Sequence, residues 1–245
     1  MKDRINKTSS KYGQGIGKPN PSVGKANRAR RFPNRFSGFD RSLAQRGQSS
    51  TSITSTGSQT YTVPAGVDSI TITMYGGGAG GGLANPGRGG ATKGGGGGGG
   101  ARLVLVLDEV TPGETLTFNV GAGGAKSTGT SALSTSGGDT TFSYGGKDYV
   151  AGGGERNRSG GLQFGDNADG TGGAGDCDGV STSAASCTAT AGNDGTAYNT
   201  GNSTTPGGNS LETGDSSGAG AGGTGSNNSS SQNAADGQNG KVVIS

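Results

Sequence analysis

Glycine tracts placed directly beside strand-like runs constrain this chain more than any other feature. Glycine accounts for 57 of the 245 residues. The tract 76–78 follows the strand-like run 69–75, and the tract 94–100 lies just before the strand-like run 102–107. Ordering glycine is entropically costly, but backbones without side chains can also pack unusually close together. The adjacency to strands therefore predicts ordered and closely packed glycine segments.

Composition taken alone favours a different outcome. Glycine and proline make up about a quarter of the chain, and only 27% of the residues are hydrophobic. Such chains are commonly disordered because they cannot bury enough apolar surface. The strand-like runs argue against disorder because they are clustered and are bounded by turn residues.

The charge is divided between two parts of the chain. Residues 1–50 contain 12 basic and 2 acidic residues, whereas residues 51–245 contain 8 basic and 15 acidic residues. The first part has a net charge of +10 and the second of −7. A basic arm joined to an acidic body suits an arm that binds an acidic surface, and the acidic body disfavours nucleic acid as the partner.

Residues 1–50 predict an extended anchoring arm, because glycines and prolines interrupt any helix. Aromatic and arginine side chains are interleaved near its end, and both residue types are frequent in the energetic centres of interfaces. A solvated tail is the alternative. The candidate anchoring residues are Arg28, Arg30, Arg31, Phe32, Arg35, Phe36 and Phe39.

The pattern beyond the arm predicts an all-β protein, a small antiparallel β-sandwich with long glycine-rich loops and no substantial α-helix. Residues 51–58 are polar and are expected to form a linker, followed by a domain over 59–245. Alternating runs predict strands near 69–75, 115–120, 139–144 and 147–151, with Gly145 and Gly146 as a hairpin turn. The run 103–107 is continuously apolar, which predicts a strand covered on both faces.

The stretch 152–239 carries almost no strand signal, and an apolar strand at 241–245 closes the chain. The closing strand is expected to return to the sheet begun near residue 60. Long loops in compact domains are uncommon. Glycine-rich segments can instead adopt an extended helix with three residues per turn that has no internal hydrogen bonds. We expect such polyglycine II-like helices to bond laterally in this region.

The residues 61–78, 110–124 and 137–142 together resemble a known family. Their order, with a glycine block and an apolar strand between the first two, is similar to the glycine-rich domain of bacteriophage tail-fibre and virion proteins, including the polyglycine-helix adhesins at distal fibre tips. The resemblance implies a β-sandwich with polyglycine-type loops that contact a host receptor. It does not extend to residues 1–50, and the chain is too short for a full fibre shaft.

Catalytic and metal chemistry find little support. The chain has no histidine, which excludes Ser-His-Asp and Cys-His catalysis. Two thiolates without histidine fall short of a zinc site, so we expect no metal, no cofactor and no enzymatic activity. Cys177 and Cys187 either form a local disulfide or remain free thiols. No apolar run predicts a membrane segment or an export signal.

The leading functional hypothesis is a virion surface protein, anchored to capsid or tail by its arm, that attaches the particle to its host. The alternative is a capsid decoration or cement protein whose arm staples neighbouring subunits. Association into homo-oligomers is left open. The candidate receptor-contact residues, large side chains among the glycines, are Arg156, Arg158, Leu162, Phe164 and Tyr198.

Overall fold

A computed structural model describes residues 50–83, 94–128, 133–156, 172–177, 186–196, 204–214, 218–226 and 234–245. The candidate anchoring arm, residues 1–50, lies outside these residues except for Ser50. The described part contains strands and no helix, which confirms the all-β prediction.

The strands form two antiparallel five-stranded sheets. Sheet A has the order β1-β12-β3-β4-β9, and sheet B has the order β2-β5-β6-β7-β8; β10 and β11 pair separately. The strands are β1 (Thr51–Ile53), β2 (Gly57–Thr62), β3 (Ile70–Tyr75), β4 (Arg102–Leu107), β5 (Thr115–Val120), β6 (Thr140–Tyr144), β7 (Lys147–Ala151), β8 (Gly175–Cys177), β9 (Ser186–Thr190), β10 (Thr204–Thr205), β11 (Gly225–Ser226) and β12 (Lys241–Ile244).

The core lies between the two sheets and follows from the alternation in the strands. In β5 the buried residues Leu116, Phe118 and Val120 alternate with exposed ones. Sheet B contributes an aromatic cluster in which Phe142 stacks on Phe118, with ring centroids 4.7 Å apart, and also faces Tyr149 at 6.1 Å. Each such fully buried side chain contributes about 1.5–3 kcal/mol by leaving water.

Strand β4 corrects one sequence-based expectation. Leu103, Leu105 and Leu107 are buried in the core, but Val104 and Val106 on the other face are only half-buried. The strand is therefore not covered on both faces. Its continuous apolar run reflects β-branched residues that suit the outer face of a pleated sheet rather than a third layer.

The polar segment 51–58 is not a linker, because it contains β1 and the first residues of β2. Strand β1 pairs with β12 in sheet A, and β2 pairs with β5 in sheet B. The chain thus crosses from one sheet to the other here. The serine and threonine residues gave no apolar alternation, so pairing partners from distant parts of the chain decide their conformation.

The closing strand β12 does return to the sandwich, where it pairs with β1 and β3 in sheet A. The strand near residue 60, β2, belongs to sheet B, so β12 does not join the sheet that was expected. The region 152–239 is, however, not a single set of loops. Strand β8 extends sheet B and β9 extends sheet A, and β10 pairs with β11. These strands are short and polar, so their sequence carried no periodic apolar signal.

A disulfide joins Cys177 of β8 to Cys187 of β9, with the two Cα atoms 6.1 Å apart. The two strands are the edges of different sheets. The disulfide therefore links sheet A to sheet B along one side of the sandwich, while the crossing from β1 to β2 links them along the other side.

We expect the double variant Cys177→Ser/Cys187→Ser to lower the free energy of unfolding by about 3 kcal/mol, because the loop of 10 residues is no longer closed in the unfolded chain. Thr188→Ser, an exposed neighbour on β9, is the matched control and should change stability little. Urea unfolding of the oxidised protein measures both. Equal stability of the double variant and the control would contradict the role given to the disulfide.

Candidate functional site: a glycine-helix bundle

Ten extended segments continue from one end of the sandwich and form what we call the glycine-helix bundle. Five segments run outward, away from the sandwich, and five run inward, back toward it. The flanking strands give the direction of most segments. The hydrogen bonds between outward and inward segments have an antiparallel register, which agrees with this assignment. The outward segments are 76–82, 121–127, 152–156, 191–196 and 220–226. The inward segments are 94–101, 133–139, 172–174, 206–210 and 234–240.

The N–H groups of segment 76–82 donate to three inward neighbours in rotation. Residues three positions apart bond to the same neighbour, with N–O distances of 2.8–3.0 Å. The donor–acceptor pairs are Gly76 to Ala101, Ala79 to Gly98 and Gly82 to Gly95; Gly77 to Gly138 and Gly80 to Thr135; and Gly78 to Gln238 and Gly81 to Ala235.

The carbonyl groups of the same segment accept from three outward neighbours, again in rotation. Segments 152–156, 121–127 and 220–226 supply the donors. The pairs are Gly154 N to Gly77 O, Gly124 N to Gly78 O, Ser127 N to Gly81 O, Gly223 N to Ala79 O and Ser226 N to Gly82 O. Segment 76–82 thus has six bonded neighbours, three through its donors and three through its acceptors.

Segment 94–101 is a second centre with six bonded neighbours. Its N–H groups donate to 191–196, 220–226 and 152–156, and its carbonyls accept from 76–82, 172–174 and 206–210. A period of three with lateral bonds on all sides is the geometry of three-residue extended helices packed side by side. The sequence predicted this packing within 152–239, and the structure places its centres earlier, in the tracts that adjoin β3 and β4.

Close approach explains why the central positions are glycine. A Cβ atom added at Gly78 would lie 2.0 Å from the carbonyl oxygen of Ala221, and one added at Gly97 would lie 2.3 Å from that of Ala79. Neither distance is compatible with van der Waals contact. The requirement comes from the neighbouring backbones, since neither residue has a positive φ angle.

Polar side chains accept hydrogen bonds from backbone N–H groups at the perimeter of the bundle, that is, in the segments that surround the two central ones. Asn239 Oδ1 accepts from Gly123 N at 2.8 Å, and Asp236 Oδ1 accepts from Lys126 N at 2.7 Å. The two acceptors, Asp236 and Asn239, are three residues apart, and so are the two donors, Gly123 and Lys126. This spacing equals the three-residue period of the bundle. Other such bonds are Gly153 N to Asp139 Oδ1, Arg156 N to Ser136 Oγ, Ala125 N to Thr135 Oγ1 and Gly172 N to Asp194 Oδ1.

Thr140 connects the sandwich to the bundle. Its side chain is fully buried, and its hydroxyl donates to Tyr75 O at 2.7 Å and accepts from Gly121 N at 3.0 Å. Tyr75 belongs to sheet A, whereas Thr140 and the chain leading to Gly121 belong to sheet B. One hydroxyl therefore satisfies peptide groups from both sheets at the point where they pass into glycine segments.

Glu212 and Lys241 form an ion pair at the same junction. Glu212 Oε2 also accepts from Ala219 N at 2.9 Å. Burial tends to raise the pKa of Glu212, but the hydrogen bonds from Lys241 and Ala219, together with the charge of Lys241, outweigh it and lower the pKa below its ordinary value. The pair holds the turn before segment 220–226 against the first residue of β12.

Most of the side chains proposed from sequence fall outside the described residues. This holds for Arg28, Arg30, Arg31, Phe32, Arg35, Phe36 and Phe39 of the arm and for Arg158, Leu162, Phe164 and Tyr198. Arg156 is described, is half-buried and lies at the outer end of segment 152–156. The perimeter acceptors were missed, although polar residues three apart, such as Asp236 and Asn239, match the helical period.

Within the described ranges, no helix is long and apolar enough to cross a membrane. Those ranges also contain no group of three or more acidic or cysteine residues that could hold a metal ion.

Comparison with known families matches the model of the "Glycine-rich domain" to residues 53–245. The match covers the whole bundle and all of the sandwich except the first two residues of β1, and this chain belongs to that family. A search of curated proteins found no match.

Two glycines of one segment give a sharp test of the lattice. Gly78→Ala places a methyl group against Ala221 O, and we expect it to lower the free energy of unfolding by about 3 kcal/mol or more. Gly82→Ala is the matched control, because a Cβ there would have no neighbour closer than 3.5 Å; its effect should stay within about 1 kcal/mol. Thermal and urea unfolding compare the two. Equal stability of both variants would exclude close lateral packing.

The Glu212–Lys241 pair predicts a pH dependence. Because the folded pKa of Glu212 is lowered, its contribution to stability is fully present above the ordinary value of 4.5 and is lost as the pH falls through the folded pKa. Glu212→Gln should therefore be less stable than the wild type at neutral pH and should converge with it in acid. Lys241→Gln and the double variant complete a thermodynamic cycle. A constant difference across the acid range would contradict the assignment.

Proposed function

We propose that this chain is a non-enzymatic bacteriophage virion surface protein that attaches the particle to its host. The arm over residues 1–50 docks the protein on other virion proteins, of the capsid or the tail. The sandwich serves as a pedestal and the glycine-helix bundle as a rigid projection toward a host cell-surface receptor. The protein then resides on the surface of the virion.

The observation that carries this proposal is the shared direction of the bundle. All ten glycine segments extend from the same end of the sandwich. The start of β1 lies at the opposite end, since Thr51 pairs with Ile244, the last residue of β12. The chain therefore enters the sandwich at the end opposite the bundle, which suits an attachment protein that is joined to its anchor at one end and carries a rigid projection at the other.

The bundle is also suited to presenting side chains rigidly. Its two central segments are hydrogen-bonded on all six sides, and no long side chain separates the backbones. The stretches 157–171 and 197–203 each join an outward segment to an inward one. Arg158, Leu162, Phe164 and Tyr198 belong to these stretches, and arginine and aromatic residues contribute strongly at interfaces.

Particles that carry Phe164→Ala or Tyr198→Ala should adsorb to host cells about tenfold more slowly or worse, because loss of a central interface residue costs more than about 1.4 kcal/mol of binding free energy. Thr117→Ala, exposed on the outer face of β5, is the control and should adsorb normally. Adsorption is measured as the loss of free particles over time. Normal adsorption of both bundle variants would refute the assignment of contacts.

A second arm of the experiment addresses the cement alternative. Particles lacking the protein should stay intact on heating but fail to adsorb if it serves attachment. Loss of intact particles with normal adsorption of the survivors would favour a cement role. Phe36→Ala should reduce the amount of protein retained on particles in either case, because both hypotheses use the arm as an anchor.

A further inference from the structure

Among the strands that the structure describes, β2 pairs on one side only, with β5, and its other edge is open. It is the outer strand of sheet B and, with six residues, the longest of the four edge strands in the two described sheets. Residues on both sides of it are described, so the strand is defined along its whole length. Edge strands with unpaired peptide groups are templates for pairing with another chain.

The peptide groups that face outward can be assigned from the pairing with β5. Val63 donates to Glu114 O and accepts from Gly113 N, both at 2.8 Å, so the peptide group of Val63 points toward the β5 side. Successive residues of a strand direct these groups to opposite edges. Those of Ser58, Thr60 and Thr62 therefore point away from β5.

Two features that normally prevent such pairing are missing from the described residues of this edge. Natural edge strands are protected by lysine, proline, bulges or short length, whereas residues 51–63 contain neither a charge nor a proline. The exposed side chains of the strand itself, Ser58, Thr60 and Thr62, are small and uncharged. The rest of the body is acidic, so this strip would allow two copies to approach each other without charge repulsion.

We propose that β2 pairs with β2 of a second copy of this chain, antiparallel and around a two-fold axis centred on Thr60. In this register Thr60 faces Thr60 of the partner subunit, and Ser58 faces Thr62 of the partner subunit. All outward peptide groups are then satisfied by about six backbone hydrogen bonds. The two copies of sheet B become one continuous sheet, and the contact is isologous. This dimer goes beyond the attachment role and does not depend on it.

The register makes Thr60 the decisive position. Thr60→Pro removes an N–H that bonds outward but leaves the bonds to β5 in place, a substitution that edge strands accept. Thr60→Lys brings two like charges together on the axis. Thr117→Lys is the matched control, since Thr117 is the Cα partner of Thr60 on β5 and exposes its side chain one strand away from the edge.

Sedimentation equilibrium of the full chain should show a dimer for the wild type and for Thr117→Lys. Each Thr60 variant should raise the dissociation constant by at least about tenfold, because two backbone hydrogen bonds are lost or two charges are opposed. Circular dichroism and thermal unfolding report whether each variant folds, and if Thr60→Pro does not fold, Thr60→Lys decides. A monomeric wild type, or a dimer equally stable in a folded Thr60 variant, would overturn the proposal.

Discussion

The lateral hydrogen bond between backbones that lack Cβ atoms is the interaction on which the bundle depends. Ordering a glycine costs on the order of 1–2 kcal/mol, and one backbone hydrogen bond returns only about 1 kcal/mol net. A single glycine helix is therefore unstable by itself. Segments 76–82 and 94–101 overcome this by using both peptide donors and acceptors on six sides, and the strands β3 and β4 fix one end of each segment.

The sandwich and the bundle depend on each other through a small number of junction contacts. Thr140 satisfies peptide groups from both sheets, and the disulfide between Cys177 and Cys187 fixes the edge strands from which two glycine segments depart. The hydrophobic core supplies the free energy that a glycine lattice lacks. The lattice in turn extends the ordered structure far beyond what 27% hydrophobic residues could enclose as a conventional core.

Sequence reasoning recovered the parts of the fold that carry periodic apolar side chains. Strands β3, β5, β6 and β7, the return of β12 and the all-β class follow from alternation and turn residues. Strands β1 and β9 could not be found in this way, because their conformation comes from pairing with distant strands. The polyglycine-type packing could be predicted because glycine tracts lie directly beside strands in the sequence. The perimeter acceptors such as Asp236 could not be recognised until the structure showed that the bundle repeats every three residues.

The six-sided lattice divides the positions of this chain into two evolutionary classes. Wherever a carbonyl oxygen lies about 2 Å from the position that a Cβ atom would occupy, as at Gly78, steric overlap excludes every residue larger than glycine. Such positions cannot change during evolution. The connectors between outward and inward segments lie mostly outside the described residues, and length changes in connecting segments are in general well tolerated. Diversification can therefore concentrate in the connectors while the architecture that carries them stays constant.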